Sequence, residues 1–148
     1  MYFWWVMAAG EQKFGGCLYF TTAALARKVE RLATASWKPV GLSPSYAYLL
    51  MAVLDEPGIQ PTQLAQLLEL QPSTITRFLD KLETKKLVVR TIEGKTANVY
   101  PTPKAKELAP KMKTCIQEFY GACCQLIGKE QSGRLVKLAA QAATKLND

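Results

Sequence analysis

The chain has 148 residues, of which 49% are hydrophobic and 21% charged, an ordinary balance for a globular protein able to bury a core. It has no histidine, and its four cysteines (Cys17, Cys115, Cys123, Cys124) show no CxxC spacing. The commonest general base and transition-metal ligand is therefore missing, and neither an enzyme, a metal site nor a cofactor is expected. The formal charge of +7 is unevenly placed: residues 71–113 hold ten Lys/Arg against four acidic side chains and carry +6 of it. A polyanionic partner should meet the middle of the chain.

In chain order, the run Met1–Ala9 is apolar and aromatic but lacks a basic leader and is too short to span a bilayer. It is expected to be an arm packed on another surface, such as a second subunit. Without a secretory signal the cysteines read as cytosolic thiols, so a cytoplasmic protein with no membrane partner is expected. Leu18 to about Trp37 is helical in spacing and propensity, and Pro39 with Gly41 breaks it. Ser43-Pro44 supplies an N-cap followed by Pro at the first helical position, and Ala47, Leu50, Met51 and Leu54 form an apolar stripe. Asp55-Glu56-Pro57-Gly58 ends that helix.

A short helix from Pro61 should turn Leu64, Ala65, Leu67 and Leu68 inward. The three residues Glu69-Leu70-Gln71 separate it from a helix beginning at Pro72, whose Ile75, Phe78, Leu79 and Leu82 recur at i, i+3, i+4 and i+7. Two short helices around so tight a turn form a helix-turn-helix pattern. Leu87–Thr91 and Ala97–Tyr100, parted by Glu93-Gly94, read as a β-hairpin carrying Lys95 at its tip. Residues 104–147 read as two helices hinged near Gly128 or Gly133. Their apolar faces (Leu108, Met112, Ile116 and Phe119, then Leu135, Leu138, Ala142 and Leu146) exceed what a small lobe can cover, and a helical dimer interface would account for them.

The outer side of the Pro72 helix presents Ser73, Thr74, Thr76, Arg77, Asp80 and Lys81. An α-helix fits the major groove of B-DNA, and side chains in its first turns reach the base edges. Arg77 can pair with guanine or hold a phosphate, the hydroxyls suit base or phosphate contacts, and the helix N-terminus itself attracts anions. Taken alone, such a face is as often merely solvated. The hairpin that follows, with Lys95 at its tip, turns the pattern into a winged helix-turn-helix. The fold expected is mainly α with a small β-hairpin wing, and N- and C-terminal dimerisation helices. Its three parts are an arm and first helix (1–40), a DNA-binding lobe (41–103) and C-terminal dimerisation helices (104–148), within one protomer.

Residues 42–108 resemble the MarR (multiple antibiotic resistance regulator) family of bacterial transcription regulators. The resemblance rests on Gly41-Leu42-Ser43, Gln63-Leu64-Ala65, the segment Pro72–Glu83, Lys85–Arg90 and the hairpin exit Tyr100–Lys104, after which Ala105 takes the place of a family glycine. Two departures stand out. The family's Asp-x-Arg in the wing reads Glu93-Gly94-Lys95 here, and Lys lacks the fork with which Arg enters a narrow minor groove. Lys86 replaces the glycine of the family's Lys-Gly-Leu, a strained choice if that backbone needs a positive φ.

The resemblance implies a ligand-responsive repressor that binds a pseudo-palindromic operator in double-stranded DNA as a homodimer. It implies DNA contacts by Ser73, Thr74, Thr76, Arg77, Lys81 and Lys95, and a brace between recognition helix and wing formed by Asp80 and Arg90. It also implies a site for a small aromatic or lipophilic effector, for which Tyr19, Phe20, Trp37, Tyr46 and Tyr48 are candidates. For each of these an ordinary core role is the stronger competitor. Two alternatives stay open: an oxidant-sensing regulator of the same fold using Cys17, and a winged-helix module used only for protein contacts.

Overall fold

The computed structural model describes residues 13–146. The expected arm at Met1–Ala9 lies outside the described residues. Six helices and one hairpin follow in order: α1 (Leu18–Trp37), α2 (Pro44–Asp55), α3 (Pro61–Leu68), α4 (Pro72–Thr84), β1 (Val88–Glu93), β2 (Thr96–Pro101), α5 (Pro103–Ile127) and α6 (Lys129–Lys145). This is a winged helix-turn-helix, mainly α. A proline opens α2, α3, α4 and α5, where its fixed φ is pre-organised and its missing N–H costs nothing. In α3 a reciprocal cap adds to this, the Gln60 N–H donating to Gln63 Oε1 at 2.9 Å.

The core lies where α2, α3, α4 and the base of the hairpin converge under α1 and α5. Leu49, Leu50, Val53, Leu64, Ile75, Leu79, Leu82, Val88 and Val99 are fully buried, joined by Trp37 from α1 and Met112 from α5. The apolar stripe of α4 therefore holds the recognition helix against the rest of the lobe. Leu67 differs from expectation. It is 62% exposed, because α3 is only two turns long and buries its Leu64–Ala65 side, which leaves Leu67 at the rim of a cavity described below.

The hairpin is longer than the β-branched runs suggest. Its register pairs Val88 with Pro101 out to Glu93 with Thr96, leaving Gly94-Lys95 as the turn. One pairing was not legible in sequence: Ile59, just before α3, forms an isolated bridge with Val99. The Gly58 N–H donates to the Val99 carbonyl at 2.7 Å and the Val99 N–H to the Ile59 carbonyl at 3.0 Å, so the wing is stitched to the start of the helix-turn-helix. Gly58 has φ +95°, which favours glycine, and a Cβ there would lie 3.2 Å from the Tyr100 hydroxyl, so that the ring would have to shift by a few tenths of an ångström.

At the α4–β1 junction Lys86 adopts φ +59°, the left-handed conformation in which a side chain costs roughly 1 kcal/mol. The turn is over-determined around it. Its N–H donates to Glu83 O, its carbonyl accepts from Thr102 Oγ1 at 2.8 Å, and Lys104 Nζ caps Lys85 O at 3.0 Å. Lys86→Gly should therefore stabilise the fold by about 1 kcal/mol, read as a rise of roughly 2–4 °C in thermal midpoint.

Gly128, at φ +99°, ends α5, whereas Gly133 lies inside α6. The two C-terminal apolar faces meet different fates. Met112 is buried, and Leu108, Ile116 and Phe119 pack on the core, while on α6 Leu138 is 65% and Leu146 77% exposed. Among the described residues no helix is long and apolar enough to cross a membrane.

Candidate nucleic-acid interface

Helix α4 ends at Thr84, with Lys85 as its C-cap, and carries its charged groups on the side opposite Ile75, Leu79 and Leu82. Ser73, Thr76, Arg77, Asp80 and Lys81 are exposed, and Thr74 is half-buried. The N-terminus offers less to an anion than four free amides would. Pro72 has no N–H, and those of Thr74 and Ile75 donate to Gln71 O, which leaves the amide of Ser73. The Thr76 hydroxyl donates to the Pro72 carbonyl at 3.1 Å, so it faces outward as an acceptor unless it turns. The Arg77 guanidinium lies 5.7 Å over the Phe78 ring, which in turn stacks on Tyr46 at 4.3 Å. This stack ties the start of α4 to α2 and limits the arc that Arg77 can sweep.

Arg90, on β1, joins wing to helix. Its Nη2 donates to Asp80 Oδ1 at 2.5 Å and to Glu83 Oε2 at 2.6 Å, and its backbone N–H donates to Glu83 Oε1 at 3.0 Å. Charge-assisted bonds of this length are the strong kind. The hydrogen bond from Arg90 holds the Glu83 carboxyl below the usual carboxylate range, and the two acids push the guanidinium up. Sequence reasoning paired Arg90 with Asp80 and left out Glu83. The signal available was its position one helical turn beyond Asp80, at i+3. Both carboxylates are thus engaged by one cation, and neither is left bare on a face otherwise made of Arg77, Lys81, Lys85 and Lys86.

At the far end of the wing Lys95 is exposed. Glu93 accepts from Asn98 Nδ2 at 2.9 Å and, more loosely, from the Tyr100 hydroxyl at 3.4 Å. The acidic residue of the tip is therefore committed within the hairpin, and Lys95 is the charge it shows outward.

The aromatic candidates for an effector site do not come together. Tyr19 is 83% exposed near the start of α1, beside Phe20, whose ring contacts Phe14. Trp37 is completely buried, with an indole N–H that has no partner among the described residues, and its ring meets the edge of Tyr48 at 5.8 Å. Tyr46 belongs to the stack under Arg77. Of the five, Tyr48 lines an open cavity of about 440 Å³. Its other walls are Val29, Glu30 and Ala33 of α1, Pro44 and Ser45 of α2, Leu67, Leu68 and Leu70 around the end of α3, and Phe119 of α5. Burial, together with the neighbouring Cys123, raises the Tyr48 hydroxyl above its ordinary pKa, so it is a neutral donor at physiological pH. The leucines and Glu30 of this cavity were missed because only the tertiary arrangement of α1, α2, the end of α3 and α5 brings them to one cavity.

Cys17 is exposed at the N-cap of α1. Cys115 is buried, and Cys123 and Cys124 are half-buried on α5. Burial pushes the thiols of Cys115 and Cys123 up, away from the reactive thiolate. Among the described residues no cluster of three His, Cys, Asp or Glu could hold a metal ion.

Residues 40–96, covering α2 through the tip of the wing, match the MarR family. The helix-turn-helix and wing are thus similar to those of that family. Over 76 residues it is 28% identical to the HTH-type transcriptional repressor MdtR of Bacillus subtilis (strain 168), a match spanning 51% of this chain and about half, 49%, of that protein. Two solved structures share the architecture along nearly the whole length. The transcriptional repressor CouR bound to a 23-mer DNA duplex superposes with a TM-score of 0.80 at 22% identity, covering 90% of this chain and 99% of that one. CouR bound to p-coumaroyl-CoA gives 0.81 at 21% identity, covering 93% and 98%. At these identities the likeness is one of fold, and it extends beyond residues 40–96 into α1, α5 and α6.

Proposed function

We propose that the protein is a sequence-specific DNA-binding transcription regulator, a ligand-responsive repressor that acts in the cytoplasm as a homodimer on a pseudo-palindromic operator. The observation that carries this reading is the brace: Arg90 engages both acids of α4 and ties the wing to that helix, so that Arg77, Lys81 and wing-tip Lys95 are presented on one rigid surface. Ser73, Thr76 and Arg77 are its base or phosphate contacts, with half-buried Thr74 at their edge, and Lys81 and Lys95 bind phosphate. The family match over residues 40–96, the repressor MdtR and the DNA-bound relative CouR support the same reading.

The lobe (41–103) is held in a pair by the flanking helices. Leu18 and Leu25 of α1, Leu126 and Ile127 of α5, Val136 and Leu138 of α6, and Leu146 just after it are large apolar side chains left exposed. A second copy would bury them and set the two recognition helices about 34 Å apart, one turn of DNA. The cavity beside Tyr48 is the effector site. Its wall includes Leu68 and Leu70, and Leu70 lies in the turn between α3 and α4, so a bound ligand acts directly on the seat of the recognition helix.

Selection from a random-sequence duplex library, followed by gel-shift titration across salt, tests this reading. A palindromic consensus is expected, with log K falling linearly with log salt and twice the chain mass by light scattering. Binding without sequence preference or salt dependence would leave the surface as a protein-contact module.

A further inference from the structure

We infer that the cavity beside Tyr48 selects lipophilic cations, with Glu30 as its charge-reading residue. The inference rests on the effector site proposed above and names the chemical class it takes. The volume of about 440 Å³ is within the range that holds a drug-sized molecule. Its walls are apolar apart from Glu30, Ser45 and the Tyr48 hydroxyl, and Glu30 is the one charged side chain among them. No Lys or Arg lines it. Arg31 and Lys38 line instead a shallow depression that Glu30 also borders. Neither lies within ion-pair distance of it, since the ion pairs among the described residues are those of Arg90 and the Glu130–Arg134 pair.

The Glu30 carboxylate is in no ion pair among the described residues and is placed to meet a cation at the cavity mouth. Tyr48 and Phe119 add two aromatic rings, whose faces attract a cation and give an anion nothing. An anionic ligand would have to place its charge against Glu30 in a partly desolvated site. A neutral one would leave that carboxylate partly stripped of water and unpaired. The +7 charge of the whole chain acts in the opposite direction, which makes a preference for cations a demanding outcome.

The test uses two probes of nearly the same shape and opposite charge, tetraphenylphosphonium and tetraphenylborate, titrated calorimetrically into the full chain and into Glu30→Gln. Glu30 is exposed at the cavity mouth, so the substitution should leave the fold intact, which circular dichroism checks. The phosphonium should bind the wild type at least about tenfold more tightly than the borate, and Glu30→Gln should abolish the difference. Equal or tighter binding of the borate, or a cation preference that survives in Glu30→Gln, overturns the inference. If neither ion binds, the cavity is no ligand site and the inference falls with it. Binding of the phosphonium with the expected charge preference but no change in DNA affinity upholds the class of ligand while refuting the effector role.

Discussion

Replacing Arg90 by Met should lower DNA affinity by one to two orders of magnitude while costing the fold only about 1–2 kcal/mol. The two effects have different origins. Arg90 is half-buried, and its side chain is 27% exposed. Its bonds to Asp80 and Glu83 are therefore weaker than those of a fully buried pair but stronger than a surface contact. Methionine keeps the aliphatic stem, so the hairpin and its pairing with Ile59 remain. Binding suffers more, because the substitution removes one positive charge and releases two carboxylates on the helix that faces the phosphates. The wing also loses its tie to α4, so its tip must be ordered at the moment of binding. Affinity measured by fluorescence anisotropy, alongside a urea melt, separates the two. Loss of stability without loss of affinity would mean that the brace serves the fold alone.

The same substitution has a pH signature. Because Arg90 depresses the Glu83 carboxyl in the folded state, Glu83 contributes stability that is complete above the ordinary glutamate pKa of about 4.3. That contribution is lost as pH falls through the lower folded value. The wild type should therefore lose stability on the acid side more steeply than Arg90→Met, and the two curves should converge as Glu83 is protonated. Urea midpoints taken between neutral pH and about pH 3 check the sign.

The sequence read more easily along the chain than across it. Three helix starts were visible because Pro44, Pro61 and Pro72 stand at the first position, and the stripe Ile75, Phe78, Leu79, Leu82 placed α4 and its inner face; Pro103, which opens α5, reads in sequence as the end of the hairpin. Asp80 with Arg90 came from a resemblance, and the structure adds Glu83 to make a three-membered cluster. What stayed hidden depends on contacts between distant segments. The Ile59–Val99 bridge involves two residues with no strand pattern on the first side, and Leu67 is apolar in a helix too short to bury it. The cavity beside Tyr48 is the clearest case. Aromatic content pointed to five residues, but Trp37 and Tyr46 are used in packing, Tyr19 and Phe20 lie toward the N-terminal end of α1, and the charge-bearing wall residue is Glu30. No local pattern distinguishes a carboxylate at a cavity mouth from one on a solvated helix.

Arg77→Ala should cost about 1–3 kcal/mol of DNA affinity, a ten- to hundredfold loss, if Arg77 contacts DNA as its position in the second turn of α4 implies. The substitution also removes the guanidinium from over Phe78, worth roughly 0.5–1 kcal/mol at an exposed site, so a fall of a few degrees in thermal midpoint is expected alongside. That stability change is too small to account for the binding loss, and the Tyr46–Phe78 stack remains to position the helix. Arg77→Lys divides the two kinds of contact. Lysine restores the charge, and with it the salt dependence, but not the planar pair of donors that reads guanine. If Arg77 reads a base, Arg77→Lys should recover non-specific affinity and leave the preference for the selected operator weakened at one position in each half-site. If it grips only phosphate, Arg77→Lys should bind almost as the wild type, with sequence preference intact and the salt slope unchanged, whereas Arg77→Ala should weaken all sequences alike and reduce the salt slope by about one per protomer. Wild-type affinity and slope in Arg77→Ala would remove Arg77 from the interface altogether and shift the burden of recognition to Ser73, Thr76 and the wing.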